Sequence, residues 1–562
     1  MAVRELTSQL QRALEQWQRD VLEPFLQAYP ERPEEHYRTD NGITMQRVYT
    51  PLDLPEDFDY ERDLGFPGAF PFTRGIVPNG YRSRHHVIKM YSGLGSPEHT
   101  NRRFRKLLEW GAEEIQIAAD LPTQVGYDSD HIMATGEVGR TGTAICSLRD
   151  MEVVFDGIPL NSLQRVGILG NAIGPIALAW FIALGEKQGL SINDYVVDLQ
   201  NDPLKEYVAR GTQIFPVEAA VRMACDVVEW CARHAPHWRP MDLCVNHLNA
   251  AGAGSSWGTA FALANGLAYI DELLRRGLSI DEIAPLLAVF ADEREEFFVA
   301  VANLRALRRI WARMMRDRFG AKDPRSMALE ITAYAHGRET RAEPLNNLAR
   351  IAFGCLAYYM GGVQTLYNAS FDEALSTPSD LAALLAIRMQ QILREEHGFF
   401  QSADPLGGSY LVESLTFRCE TDILKALQEI EARGGAIACI RNGFTRSIIA
   451  DGAIRRQQRT NEGARVMVGV NKYRSTESEP QASAYRPDED AEAIQRDRLA
   501  KLRAERDPAR VRRALEDVRD AARGKDNLVP PVLEAVKAEA TLGEICDVLR
   551  DVFGEFEPDT SY

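Results

Sequence analysis

The sequence contains no CxxC pair and no Cys/His cluster at metal-ligand spacing; its eight cysteines are scattered between Cys146 and Cys546. No metal site is indicated, and thiols so placed read as reduced and mostly buried. No apolar run is long enough to span a bilayer: the longest, AIGPIALAWFIAL at 172–184, carries Gly174 and Pro175 and reads as a buried helix. A surplus of positive charge is also missing. The net charge of −16 argues against nonspecific nucleic-acid binding, which needs a basic surface to release counterions, although an anionic small ligand needs only a local patch. The N-terminus, MAVRELTSQLQRALEQWQRD, has charges throughout and neither an apolar core nor a small-residue cleavage site. It reads as an amphipathic helix rather than a secretory signal, which points to the cytoplasm. There is no internal repeat or low-complexity tract, and GNAIG at 170–174 lacks the spacing of a dinucleotide fingerprint.

What is present is a chain of 562 residues, 45% hydrophobic and 26% charged, the composition of a soluble globular protein with one large domain and accessories. Short apolar runs at 86–91, 114–119, 165–169, 195–200, 242–245, 286–290, 328–332 and 363–366 read as parallel strands. Segments of helical periodicity between most of them, such as 99–110, 175–188, 217–233, 257–276 and 297–319, are long enough for crossovers. The pattern predicts an α/β fold, a (β/α)8 TIM barrel over 71–414, with a helical or extended arm at 1–70 and a helical region at 415–562. A doubly wound open sheet is the main competitor. Residues 475–490 read as an extended linker, and Thr541 with Glu544 as a capping box before an amphipathic helix.

The barrel opens on PFTRGIVPNGYRSRHHVIKMYSGLG at 71–95, where Arg74, Arg82, Arg84, His85 and His86 make a basic, turn-rich entry to a strand ending near Tyr91. Barrel enzymes collect function at the carboxyl ends of their strands.

Several separated segments, taken in order, resemble the methylmalonyl-CoA mutase family of adenosylcobalamin-dependent acyl-CoA mutases. They are PFTRG at 71–75, DLPTxxGYDSDH at 120–131, GEVGxxGxA at 136–144, QNDxLKEYxxR at 200–210, NHxxxAGA at 246–253, DEAxxxPxD at 372–380 and DPLGGSYxVE at 404–413. The resemblance implies a barrel traversed by the coenzyme A arm, with cobalamin over the carboxyl ends of the strands. It also implies radical chemistry, in which the cofactor's Co–C bond breaks homolytically, a substrate hydrogen is removed and the thioester carbonyl group migrates. Family members with their own cobalamin domain show DxHxxG, which this sequence lacks. The expectation is a large subunit served by a separate small cobalamin-binding subunit that ligates cobalt, in a heterotetramer of two large and two small subunits.

Residue by residue, the resemblance makes Tyr91 the group between adenosyl and substrate, Arg210 the clamp for a second carboxylate and His247 the hydrogen-bond donor to the thioester carbonyl. An always-charged planar fork suits a carboxylate. Gln200 and Gln364 match glutamines that hold substrate or thioester, Glu373 matches the acid on the adenosyl ribose, and Asp120 and the GYDSD loop at 126–130 lie at the cofactor end. Arg82 and Arg84 are candidates for coenzyme A. Departures cluster in the pocket: Ala119 stands for a large aromatic residue, Gln116 for a serine, Gly167 and Leu169 for a serine and a threonine, Asn246 for a tyrosine, Thr332 and Tyr334 for a histidine and a glutamine, and Leu286 for an arginine that helps hold coenzyme A. Losing a ring opens about a ring's volume, a costly void unless a ligand fills it. The substrate implied is a bulky 2-substituted malonyl-CoA of benzylmalonyl or aminobenzylmalonyl type, rearranged to the matching succinyl-CoA. Methylmalonyl-CoA or another small acyl-CoA is the first alternative, and a noncatalytic barrel subunit the second.

Overall fold

The eight apolar runs become strands β1 Val87–Ser92, β2 Glu114–Ile117, β3 Arg165–Leu169, β4 Val197–Gln200, β5 Met241–Cys244, β6 Leu287–Ala291, β7 Glu330–Ala335 and β8 Thr365–Asn368. They pair in parallel in the order β4-β3-β2-β1-β8-β7-β6-β5. The ring closes between β4 and β5, where Leu199 N–H donates to Arg239 C=O (2.8 Å) and Arg239 N–H to Val197 C=O (2.9 Å). This is a (β/α)8 TIM barrel. The computed structural model describes residues 2–293, 296–475 and 490–557, with side chains from residue 8 onward, so the expected linker lies outside the described residues except at its ends.

The expected helices form at Pro97–Glu109, Gly174–Lys187, Val217–His234, Ser255–Arg275 and Phe297–Arg313. Gly174–Lys187 is buried over most of its surface because the later helix Val529–Lys537 packs across its outer side. Complete burial of Val529, Val532 and Val536 stabilises that contact by roughly 1.5–3 kcal/mol per side chain. Most strand boundaries shift by one to three residues from expectation, and two of the shifts have a clear local cause. β7 runs on to Ala335 because the alternation of Thr332 and Tyr334 against alanines continues, and β5 ends at Cys244 because Val245–Ala251 coils into a helix carrying Asn246 and His247. No helix among the described residues is long and apolar enough to cross a membrane. All eight cysteines are free and buried.

Sequence motifs far apart meet as structural clamps. Arg74 Nε donates to Asp404 Oδ2 (2.9 Å), and the buried Arg305 joins Asp404 Oδ1 to Glu413 Oε1, each at 2.6 Å. Thr541 and Glu544 form the expected capping box. The hydroxyl of Thr541 also donates to Asp128 Oδ2 (2.6 Å), Gly543 N–H to Asp128 Oδ1 (2.8 Å) and Arg503 Nη2 to Asp128 Oδ2 (2.9 Å), which pins the last helix to the loop after β2. The GYDSD loop, expected at the cofactor end, thus spends its central carboxylate on holding the C-terminal region in place.

Candidate active site

Six of the sequence-derived residues converge at the carboxyl end of the barrel. Tyr91, on β1, is half-buried; burial pushes its phenol up, the Arg210 guanidinium pulls it down and Glu373 pushes it up again, so all three lie within electrostatic reach. Tyr334, at the end of β7, donates its hydroxyl to Glu373 Oε1 (3.1 Å). Burial raises the Glu373 carboxyl to about 7, so near neutrality it is a donor as well as an acceptor. Tyr91, Tyr334 and Glu373 line a cavity of about 240 Å³ with Ser92, Tyr367 and Asn368.

Below Arg210 the QNDPLKEY segment builds a buried polar chain. Lys205, with no exposed surface, has three acceptors: Gln200 Oε1 (2.9 Å), His247 Nδ1 (2.9 Å) and Glu206 Oε1 (2.8 Å). An ammonium has three donors and no acceptor, so all three are used. Nδ1 of His247 therefore accepts, and Nε2 carries the proton and is the donor the imidazole offers outward. Glu206 also receives the Arg210 guanidinium (3.6 Å) and the Thr212 hydroxyl (2.7 Å), fixing the base of the arginine while 21% of its side chain stays exposed. Asn171 Nδ2 donates to Gln200 Oε1 (3.2 Å) as well.

Other candidates fall elsewhere. Asp120 is fully buried as the cap of Leu121–Gln124, its two oxygens taking Thr123 N–H (3.0 Å) and Gly139 N–H (2.8 Å); it shapes a loop and presents no oxygen to the mouth. Ala119 sits in the apolar layer between barrel and helices and is not in the lining of the mouth cavity, where Ala118 appears instead. Gln364 precedes β8 at the opposite, amino end; its Oε1 accepts Ile331 N–H (3.0 Å) and its Nε2 donates to Gly362 C=O (2.8 Å). It lines a separate cavity of about 760 Å³ with Arg84, His85, Arg165, Arg394 and Glu330, and Arg82 is exposed beside that entrance outside the lining. Gln116, Thr332 and Asn246 are buried in the barrel. Gly167 makes room for Gln116: a Cβ there would lie 2.7 Å from Gln116 Oε1 and 1.7 Å from Asp198 O. Leu286 is buried in the apolar core ahead of β6.

Sequence reasoning passed over Lys205, although a lysine five residues after a strand-end glutamine is the available signal. It also passed over Phe290 and Tyr367, whose rings stack at 5.2 Å across the barrel, with Tyr334 stacked on Tyr367 at 4.5 Å.

The sequence profile of methylmalonyl-CoA mutase matches residues 38–555. The chain belongs to the methylmalonyl-CoA mutase family. It is 38% identical over 554 residues to the 2-hydroxyisobutanoyl-CoA mutase large subunit of Aquincola tertiaricarbonis, covering 98% of both. It is 36% identical to methylmalonyl-CoA mutase of Rhizobium meliloti (strain 1021), over 92% of this chain and 73% of that one. The human mitochondrial methylmalonyl-CoA mutase is also 36% identical, over 92% of this chain and 69% of the human one. The chain is thus an enzyme, an isomerase of the acyl-CoA mutase family, and the residues at its carboxyl-end mouth are the place to look for its chemistry.

Proposed function

We propose that this chain is the catalytic large subunit of a cytoplasmic adenosylcobalamin-dependent mutase that rearranges the carbon skeleton of an acyl group bearing a second carboxylate. A separate small subunit ligates the cobalt, in a heterotetramer of two large and two small chains. The observation that carries the reading is the convergence of Tyr91, Arg210 and Glu373 above the Gln200–Lys205–His247 chain.

Each residue has a defined task. Arg210, braced by Glu206, offers a planar fork to the free carboxylate. His247 offers Nε2–H to the migrating carbonyl, and Lys205 holds that tautomer. Tyr91 walls the reacting groups off from water, and Glu373 with Tyr334 suits the hydroxyls of an adenosyl ribose because together they both donate and accept. Adenosylcobalamin, when bound, supplies the homolytically cleaved Co–C bond that starts the radical reaction.

Among carboxylated groups we favour a bulky 2-substituted malonyl of benzylmalonyl or aminobenzylmalonyl type, a reading supported by the alanine at position 119, where the family resemblance implies a large aromatic residue. Methylmalonyl is the second reading, because Ala119 stands outside the lining of the mouth cavity and Tyr334 and Tyr367 fill the space around it. The test is mass-spectrometric product analysis with the small subunit, adenosylcobalamin and a panel of methyl-, ethyl-, butyl-, benzyl- and aminobenzylmalonyl thioesters plus isobutyryl-CoA. Conversion of a malonyl thioester to its succinyl isomer supports the reading, and turnover of isobutyryl-CoA alone refutes it.

A further inference from the structure

Four near-parallel rings form one stacked cluster beside the mouth cavity. Phe290 on β6 lies 5.2 Å from Tyr367 on β8 with 11° between the planes, Tyr367 lies 4.5 Å from Tyr334 on β7 at 24°, and Tyr334 lies 4.3 Å from His336 at 19°. His336 stands one residue beyond the end of β7. Tyr334 and Tyr367 line the mouth cavity together with Glu373, whereas His336 is not in that lining. The family resemblance implies a glutamine at position 334, and a glutamine has no ring face to stack, so the cluster comes with the tyrosine of this chain.

The histidine is set between two carboxylates. Its Nε2 lies 3.5 Å from Asp292 Oδ2, immediately after β6, and its Nδ1 lies 3.9 Å from Glu339 Oε2. Both acids are fixed in their turn. Asp292 has no exposed surface, its Oδ1 accepts the Tyr358 hydroxyl (3.3 Å) and its backbone carbonyl accepts Asn249 Nδ2 (2.8 Å). Glu339 Oε2 accepts Gly337 N–H (2.6 Å). With a carboxylate beside each ring nitrogen and one ring face against Tyr334, the imidazole has little freedom to tilt or slide.

What the imidazole steadies is Tyr334, whose hydroxyl donates to Glu373 Oε1 (3.1 Å). Rotation of the phenol about its side-chain bonds would carry that hydroxyl off the carboxylate, and the rings stacked on it at 4.3 and 4.5 Å resist the swing. Glu339 is also close enough to act on the same carboxylate. Burial pushes the Glu373 carboxyl up most, the Tyr334 hydrogen bond pulls it down, and the Glu339 charge pushes it up again.

We infer that His336 is a positioning residue for the cofactor: it holds the Tyr334 hydroxyl on Glu373 and so sets how tightly that pair grips an adenosyl ribose. The inference rests on the ribose reading of Glu373 given above and adds the residue that keeps the pair in place.

The test is spectrophotometric titration of the complex of this chain with its cobalamin-binding subunit, using adenosylcobalamin and methylcobalamin, which carries a methyl group in place of the adenosyl group. His336→Ala is expected to weaken adenosylcobalamin binding about tenfold, what the loss of one hydrogen bond costs, and to leave methylcobalamin within about twofold. His336→Asn, which keeps a donor beside Asp292 but has no ring face, guards against misfolding and is expected to show the same selective loss. Glu373→Ala is expected to lose the adenosyl preference as well, and the double variant with His336→Ala to lose no more than Glu373→Ala alone, because the histidine works through that carboxylate. Equal losses on both cobalamins, additive losses in the double variant, or an unchanged affinity for adenosylcobalamin overturn the inference and leave the ribose reading standing. A Glu373→Ala variant that keeps its full preference for adenosylcobalamin overturns the ribose reading too.

Discussion

Nζ of Lys205 lies 2.9 Å from Nδ1 of His247, and this one contact settles which imidazole nitrogen is left to act. Lys205 is a positioning residue. Its replacement by methionine frees the histidine tautomer and strips Glu206 of its closest cation, at 2.8 Å. Loss of one partner from a buried pair costs about 3–5 kcal/mol of stability. A positioned donor contributes about 10²–10⁴-fold to rate, so kcat of Lys205→Met is expected to fall about a hundredfold, with KM changing less. Urea unfolding and steady-state kinetics on the folded fraction separate the two effects; an unchanged kcat sinks the tautomer argument.

Arg210 is tested by its neutral counterpart. Hydrogen bonds to a charged group are worth about 1.5–3 kcal/mol, so Arg210→Gln is expected to lower kcat/KM on a carboxylated substrate roughly 10- to 150-fold. Activity on an uncarboxylated analogue stays where it was. Equal losses on both substrates argue that the guanidinium serves the fold instead.

Glu373 makes stability depend on pH in a predictable direction. Its folded-state value of about 7 lies above the ordinary 4.5, so the folded chain holds this proton more tightly than the unfolded one. The stabilising contribution is complete below about pH 4.5 and is lost as pH rises through 7. Screening by water at the cavity leaves a loss of roughly 2 kcal/mol across that interval. Glu293, also raised to about 7 by burial, slopes the same way, so the measurement is a difference: urea unfolding at pH 5 and pH 8 for the natural chain and for Glu373→Gln. A variant with an undiminished slope contradicts the assignment.

Asp128 provides a structural counterpoint. Its contacts to Thr541, Gly543 and Arg503 predict that Asp128→Ala lowers the thermal midpoint, by an amount equivalent to about 1–3 kcal/mol, without altering kcat of the folded enzyme. Calorimetry with an activity assay on the same sample checks both halves. A fall in kcat at unchanged stability would show that the GYDSD loop also serves the reaction.

Much of the architecture was legible because it is written in local pattern. Continuous apolar runs such as RVGIL and LAVFA pack on both faces only inside a parallel sheet, and the intervening 3.6-residue periodicity supplies the crossovers, so all eight strands lay within a few residues of expectation. The Thr541 box was equally local. Asp120 and Ala119 were harder to place, because their motif spacing is compatible with either side of a strand end, and only the paths taken by Gly139 and Thr143 turned them away from the mouth.

By itself the sequence determined the barrel, the family and the residue types at its carboxyl end, since these depend on periodicity and on motif order along the chain. Only the tertiary structure decided which charges meet. Arg165 and Glu330 are 165 residues apart along the chain, yet they meet across the barrel interior, as do Lys89 and Asp198. An ion pair depends on distance and dielectric in three dimensions, and neither is encoded in the spacing of residues along the chain.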